Sequence, residues 1–209
     1  KLASHEHNCS ERNACDIELL MVGAFSPLEG FMNEKDYYSV LENHRDSNGF
    51  LFGLPIVLDT DNSGIKIGDK VLLNFNDQKL ALLDVQSKWE PDKSAEGKFC
   101  YGTNSLDHPA VKMIFHERGR FYLGGKLYGF ELPKREFPCQ TPLDVRGILP
   151  PNFDVVAFQC RNPIHRAHYE LFTNALSSEN VSKNSVVLVH PTCGPTQQDD
   201  IPGKIRYLT

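Results

Sequence analysis

Asp154-Val-Val-Ala-Phe-Gln-Cys-Arg-Asn-Pro-Ile-His-Arg-Ala-His168 joins a short apolar run to a helical pattern, and the join is dense in polar groups. The run Asp154-Val-Val-Ala-Phe158 follows Pro150-Pro151 and gives way to polar residues, as a buried strand does. From Pro163 onward Ala167, Leu171 and Ala175 recur at helical spacing. After a polar connection, Ser185-Val-Val-Leu-Val189 reads as a second strand. Strand, helix, strand predicts one right-handed βαβ unit, whose ligands belong at the carboxyl ends of its strands. Residues Gln159 to His168 occupy that position.

His165 and His168, three residues apart, share one face of the predicted helix. Near a helix N-terminus, with its exposed N–H groups and positive dipole end, they form a cradle suited to phosphate. Arg161 adds a planar, permanently charged fork for a tetrahedral oxyanion, and Gln159 and Asn162 add neutral donors. Alone, a histidine pair on a helix is most often a surface feature without catalytic work. Five anion-compatible groups at one strand end favour a nucleotide- or phosphate-binding α/β domain, and spacing goes no further than that.

Up to about residue 135 the texture is different. Short apolar runs, Pro55-Ile-Val-Leu58, Val71-Leu-Leu-Asn-Phe75 and Leu80-Ala-Leu-Leu-Asp-Val85, are separated by the turn residues Asp61-Asn-Ser-Gly64 and Asn76-Asp77. This predicts a β-rich domain over residues 1–135, interrupted by two helices. One covers Glu34 to Leu41, and one covers His108 to Glu117 after Asp107 and with Pro109 at its start. Thr141-Pro-Leu-Asp144 combines an N-cap, a first-turn proline and an acid, so a new helix opens there and a second domain takes residues 136–209.

Composition narrows the function classes. The 22 basic and 27 acidic residues give a net charge of −5, which supplies no excess of positive charge to track a nucleic-acid backbone. No stretch reaches the roughly 18 apolar residues of a membrane span, and the first residues lack the apolar core of a secretory signal. The chain reads as soluble and intracellular, although it begins with Lys1, and a leader could precede it. Cysteines 9, 15, 100, 139, 160 and 193 are too scattered for a secreted disulfide framework and read as mostly reduced. His5-Glu-His-Asn-Cys9 has ligand-type residues at short range, but no second ligand pair follows. An exposed polar arm is the expectation there, and no metal site is assigned.

QxRNPxHRAH, here Gln159 to His168, closely resembles the first signature of the ATP sulfurylase family. Gly23-Ala-Phe-Ser-Pro-Leu-Glu-Gly-Phe-Met-Asn33 is similar to that family's GGFSPLxGFM segment, and Pro55-Ile-Val-Leu-Asp59 to its PIxLD strand. Tyr101-Gly-Thr103, Asp107-His-Pro-Ala110 and Tyr122-Leu-Gly-Gly125 fall in family order. Val189-His-Pro191, Gly194-Pro-Thr196 and Asp199-Asp-Ile-Pro202 resemble the strand and loop after the HxxH helix, so the resemblance spans nearly the whole chain.

The resemblance implies a PUA-like β-barrel domain followed by the first part of a Rossmann-like nucleotidyltransferase domain. It also implies that ATP and sulfate become adenosine 5′-phosphosulfate and pyrophosphate. By motif, Gln159 and Arg161 hold sulfate, Asn162 contacts the nucleotide, and His165 and His168 contact the ATP phosphates. Arg161, Asn162, His165 and His168 form the catalytic set, Mg²⁺ accompanies ATP, and the histidines act as electrostatic stabilisers. A homo-oligomer in cytoplasm or plastid is implied by the same analogy.

Two departures qualify the resemblance. Cys160 stands where many relatives carry Thr, a change expected to be tolerated. The family's second signature, a GRDHAG-type loop, is absent from the 209 residues, so the chain reads as a fragment with half the site and its own activity is uncertain. A non-catalytic PUA-like binding module or pseudoenzyme, and an adenylyltransferase for another acceptor, are the competing readings.

Overall fold

Two apolar runs joined by Asn76 and Asp77 form the centre of the first sheet in the computed structural model, which describes residues 3–132, 140–160 and 163–191. Both turn residues take positive φ, 48° and 61°, as a two-residue hairpin requires and as Asn and Asp tolerate. In chain order the described elements are β1 (His5–Asn8), α1 (Glu11–Met21), β2 (Gly30–Phe31), α2 (Glu34–Asn43), β3 (Leu58–Thr60), β4 (Lys70–Phe75), β5 (Gln78–Trp89), α3 (Lys93–Tyr101), α4 (Pro109–His116), β6 (Phe121–Gly129), α5 (Pro142–Ile148), β7 (Asp154–Cys160), α6 (Arg166–Leu176) and β8 (Ser185–Pro191). They fall into two compact units, Lys1–Val145 and Arg146–Thr209. No described helix is long and apolar enough to cross a membrane.

In the first unit six strands share a sheet in the order β1-β4-β5-β6-β2, with β3 also paired to β6. β1 runs parallel to β4 and the remaining pairs are antiparallel. Alternation along β4 buries Val71 and Leu73, which join Leu83 of β5 and Ile17 and Leu20 of α1 in one apolar cluster. Gly30 of β2 faces Lys126 of β6, where any Cβ would run into the Gly125 carbonyl oxygen. Only glycine permits that backbone approach.

A second cluster joins α2, β5 and β6 through the rings of Tyr37, Trp89 and Tyr122, with centroids 5.4, 5.7 and 5.8 Å apart. Beside it Glu96 of α3 is 1% exposed. Its carboxylate accepts hydrogen bonds from the Tyr37 hydroxyl at 2.9 Å, the Tyr122 hydroxyl at 2.8 Å and Arg118 Nη1 at 2.6 Å. Three donors compensate the lost hydration of that buried charge.

The expectation of two helices in the β-rich part holds for α2 and α4 and misses α1 and α3. Ser10 caps α1: its hydroxyl accepts from Asn13 N–H, while the Asn13 side chain accepts from Ser10 N–H. Asp92 caps α3 by accepting from Ser94 and Ala95 N–H, and Gly102 ends it at φ 70°. The expected strand at Pro55–Leu58 starts later, at Leu58, because Ile56 gives its carbonyl to Met32 rather than to a ladder. The N-terminal segment is not an exposed arm. His5–Asn8 pairs with Val71–Asn74, His5 Nε2 lies 3.1 Å from Asp69 Oδ2, and Cys9 is buried.

In the second unit β7 and β8 pair in parallel from Asp154↔Ser185 to Cys160↔Pro191, with α6 between them in sequence. Ahead of them Thr141 and Asp144 form the cap of α5, each side chain bonding the other's backbone N–H. The buried strand expected at Asp154–Phe158 is largely exposed: Val155 retains 40% of its accessible surface, Val189 of β8 39%. Within this unit the helix α6 packs on both strands.

Candidate active site

Alternation along β7 sends Val156, Phe158 and Cys160 to the more buried face and leaves Val155, Ala157 and Gln159 exposed. Phe158 packs on α6, its ring centroid 5.3 Å from that of His168 and 4.9 Å from that of Phe172. Gln159 therefore stands at the strand's carboxyl end on the opposite face. Parallel register sets His190 beside it, and both residues are exposed. The sequence alone does not reveal His190 as the neighbour of Gln159, because a register between strands is invisible in a linear pattern.

His165 is the N-cap of α6, and its carbonyl accepts from His168 N–H at 2.9 Å and Tyr169 N–H at 3.1 Å. The imidazole makes no cap hydrogen bond and the first turn of α6 holds no acidic residue. The positive end of the helix is thus not neutralised from within the helix. The His165 and His168 rings stack, centroids 3.9 Å apart and planes at 27°. His168 Nδ1 is shielded from solvent and has no hydrogen-bond partner among the described residues. Of its two ring nitrogens, Nε2 is the one left to meet a ligand.

Gln159, His165 and His168 thus all lie at the junction of β7 and α6, while Arg161 and Asn162 lie outside the described residues. Among the described residues, no three or more His, Cys, Asp or Glu side chains gather as a metal site would require. The described donors are imidazoles and an amide, which suit phosphate oxygens. Mg²⁺ prefers oxygen ligands, so these described side chains would leave such an ion to be carried by the oxygens of a bound ligand.

Known proteins match along nearly the whole length. A PUA-like domain model covers residues 3–132, more than half of the chain, and an ATP-sulfurylase model covers residues 141–209. The sulfate adenylyltransferase of Schizosaccharomyces pombe is 43% identical over 96% of this chain and 41% of its own length. That of Kluyveromyces lactis is 42% identical over 93% of this chain and 40% of its own length. A solved structure titled hexameric APS kinase from Thiobacillus denitrificans aligns with a TM-score of 0.60 at 22% identity, over 93% of this chain and 35% of that one, and supports the fold alone.

Fold and matches together define a PUA-like domain followed in the chain by an α/β unit with two parallel strands and an intervening helix. Identity at this level, extending through both units, is more specific than any single motif. The chain belongs to the ATP-sulfurylase family. It spans about two fifths of the length of the curated relatives it matches.

Proposed function

We propose that this chain is the N-terminal part of a sulfate adenylyltransferase, with a PUA-like barrel over residues 1–135 and the start of a Rossmann-like nucleotidyltransferase domain over residues 136–209. The stacked pair of His165 and His168 at the start of α6, within Gln159 to His168, carries the proposal. Two imidazoles at the uncapped, positive end of a helix offer adjacent donors to a polyphosphate.

In the proposed reaction a sulfate oxygen donates a lone pair to the α-phosphorus of Mg-ATP, forming a new oxygen–phosphorus bond. The bond to the bridging oxygen on the far side breaks, and pyrophosphate leaves with that electron pair. Sulfate is fully ionised at neutral pH, so no general base is required and the protein acts by positioning and charge neutralisation. Gln159 and Arg161 hold sulfate, Asn162 holds the nucleotide, and His165 and His168 donate to the phosphate oxygens as negative charge builds on them. The assembly proposed is a homo-oligomer in cytoplasm or plastid.

The test is sulfate-dependent pyrophosphate release from Mg-ATP by the longest natural form of this chain, run beside Arg161→Ala. Release that needs sulfate and collapses in the variant supports the assignment. Release independent of sulfate points to another acceptor, and no release from a well-folded protein leaves a binding module.

A further inference from the structure

Functional histidines are usually held in one orientation by a hydrogen bond at the ring nitrogen that faces away from the ligand. Among the described residues His168 has no such bond, since its buried Nδ1 finds no partner there. Packing takes its place. Phe158 lies 5.3 Å from the His168 ring and 4.9 Å from Phe172, which it meets edge to face at 71°. His168 and Phe172 are four apart on α6 and therefore neighbours on one helix face, so Phe158 spans both from β7.

We propose that Phe158 is a positioning residue for the nucleotide site: its ring, braced by Phe172, backs His168 and holds that imidazole in its stack against His165. The proposal rests on the assignment of the His165–His168 pair to nucleotide phosphates. Phe158 precedes Gln159 by one residue and points to the other face of the strand, so it couples the helix face to the strand end that carries the polar groups. Leucine fills similar space but has no flat face or positive ring edge to hold a second ring at a set angle.

The test uses the longest natural form of the chain with Phe158→Leu, Phe158→Tyr, Phe172→Leu and His168→Ala. NMR of the His168 ring protons reports the orienting contact directly, and titration with Mg-ATP reports its consequence. Phe158→Leu is expected to keep the far-ultraviolet circular dichroism of the parent. It is expected to lose the ring-current shift at His168 and to bind Mg-ATP about three- to tenfold more weakly, the range an aromatic pair is worth. Phe158→Tyr restores both readouts. Phe172→Leu, which leaves Phe158 in place, shows a smaller loss in the same direction and serves if Phe158→Leu fails to fold. If His168→Ala weakens binding while the Phe158 and Phe172 variants match the parent in shift and affinity, the positioning role is overturned and the site assignment stands. If His168→Ala binds Mg-ATP as the parent does, the site assignment fails and the proposal with it.

Discussion

The imidazole of His168 lies on that of His165, ring centroids 3.9 Å apart, at the point where β7 gives way to α6. If the pair binds nucleotide phosphates as proposed, rings so close address one ligand group together and act as a unit. Replacing either with alanine should weaken Mg-ATP binding by roughly 10- to 100-fold, the loss of a hydrogen bond to a charged group. The double variant should be little worse than either single one, because coupled residues are not additive. Calorimetric titration of the three variants checks this, and fully additive losses would mean the rings bind independently.

Glu96 and Arg118 form the most buried ion pair described, with side chains 2% and 13% exposed. Removing one member strands the other charge away from water. Glu96→Ala should cost about 3–5 kcal/mol in urea unfolding, since Arg118 then loses its partner. Tyr37→Phe removes one of three donors to Glu96 and should cost only about 1–2 kcal/mol. A Glu96→Ala loss below that of Tyr37→Phe would show that the carboxylate is not what ties α3 to α2 and β6.

What the sequence displayed and what it hid follow from range. Thr141 and Asp144 bond each other's backbone across three residues, so the start of α5 is written locally, and the switch from strand to helical spacing around Pro163 is equally local. β1 is the opposite case: His5 pairs with Val71, and no local period records a partner that far along the chain. α3 is masked by Gly97, a poor helix former whose missing side chain makes room for Asn104, and by Glu96, a charge on its buried side. At the site, Gln159, His165 and His168 stand out by residue type. Phe158 reads as ordinary core filling until its contact with His168 is seen.

His7 gives stability a pH dependence of known sign. Burial lowers its pKa below the ordinary 6.5, against a smaller opposing pull from the Asp59 carboxylate. Below about pH 6.5 the unfolded chain therefore takes up a proton that the folded chain refuses. The stability tied to His7 is fully present above that pH and is lost as pH falls toward the lowered folded value, by at most about 1.4 kcal/mol per pH unit. Urea unfolding between pH 7.5 and pH 5 should show a shallower decline for His7→Gln than for the parent, and equal declines would mean His7 titrates alike in both states.

Thiol reactivity should separate the cysteines by burial. Burial, reinforced by the Asp59 charge, pushes the Cys9 thiol up to about 12, and burial with the Glu96 charge pushes Cys100 up to about 11. Cys15 is exposed on α1. Only the thiolate attacks a maleimide, so brief labelling of the native protein at pH 8 should modify Cys15 and spare Cys9 and Cys100. Peptide mass spectrometry reads the outcome, and labelling of Cys9 at the rate of Cys15 would show that β1 detaches from β4 in the native state.

Gly30 and Gly53 make a matched test of backbone approach. A Cβ on Gly30 would overlap the Gly125 carbonyl oxygen and crowd the Leu127 amide, backbone atoms that cannot swing aside as a side chain does. A Cβ on Gly53 meets nothing within 4 Å. Gly30→Ala must therefore part β2 from β6 and should cost roughly 1–3 kcal/mol or more, whereas Gly53→Ala should stay within about 0.5 kcal/mol of the parent. Both substitutions narrow the unfolded chain equally, so their difference isolates the native contact. Equal melting temperatures would mean that the β2–β6 pair relaxes freely, and that the glycine of the Gly23–Asn33 segment is not held there by the fold.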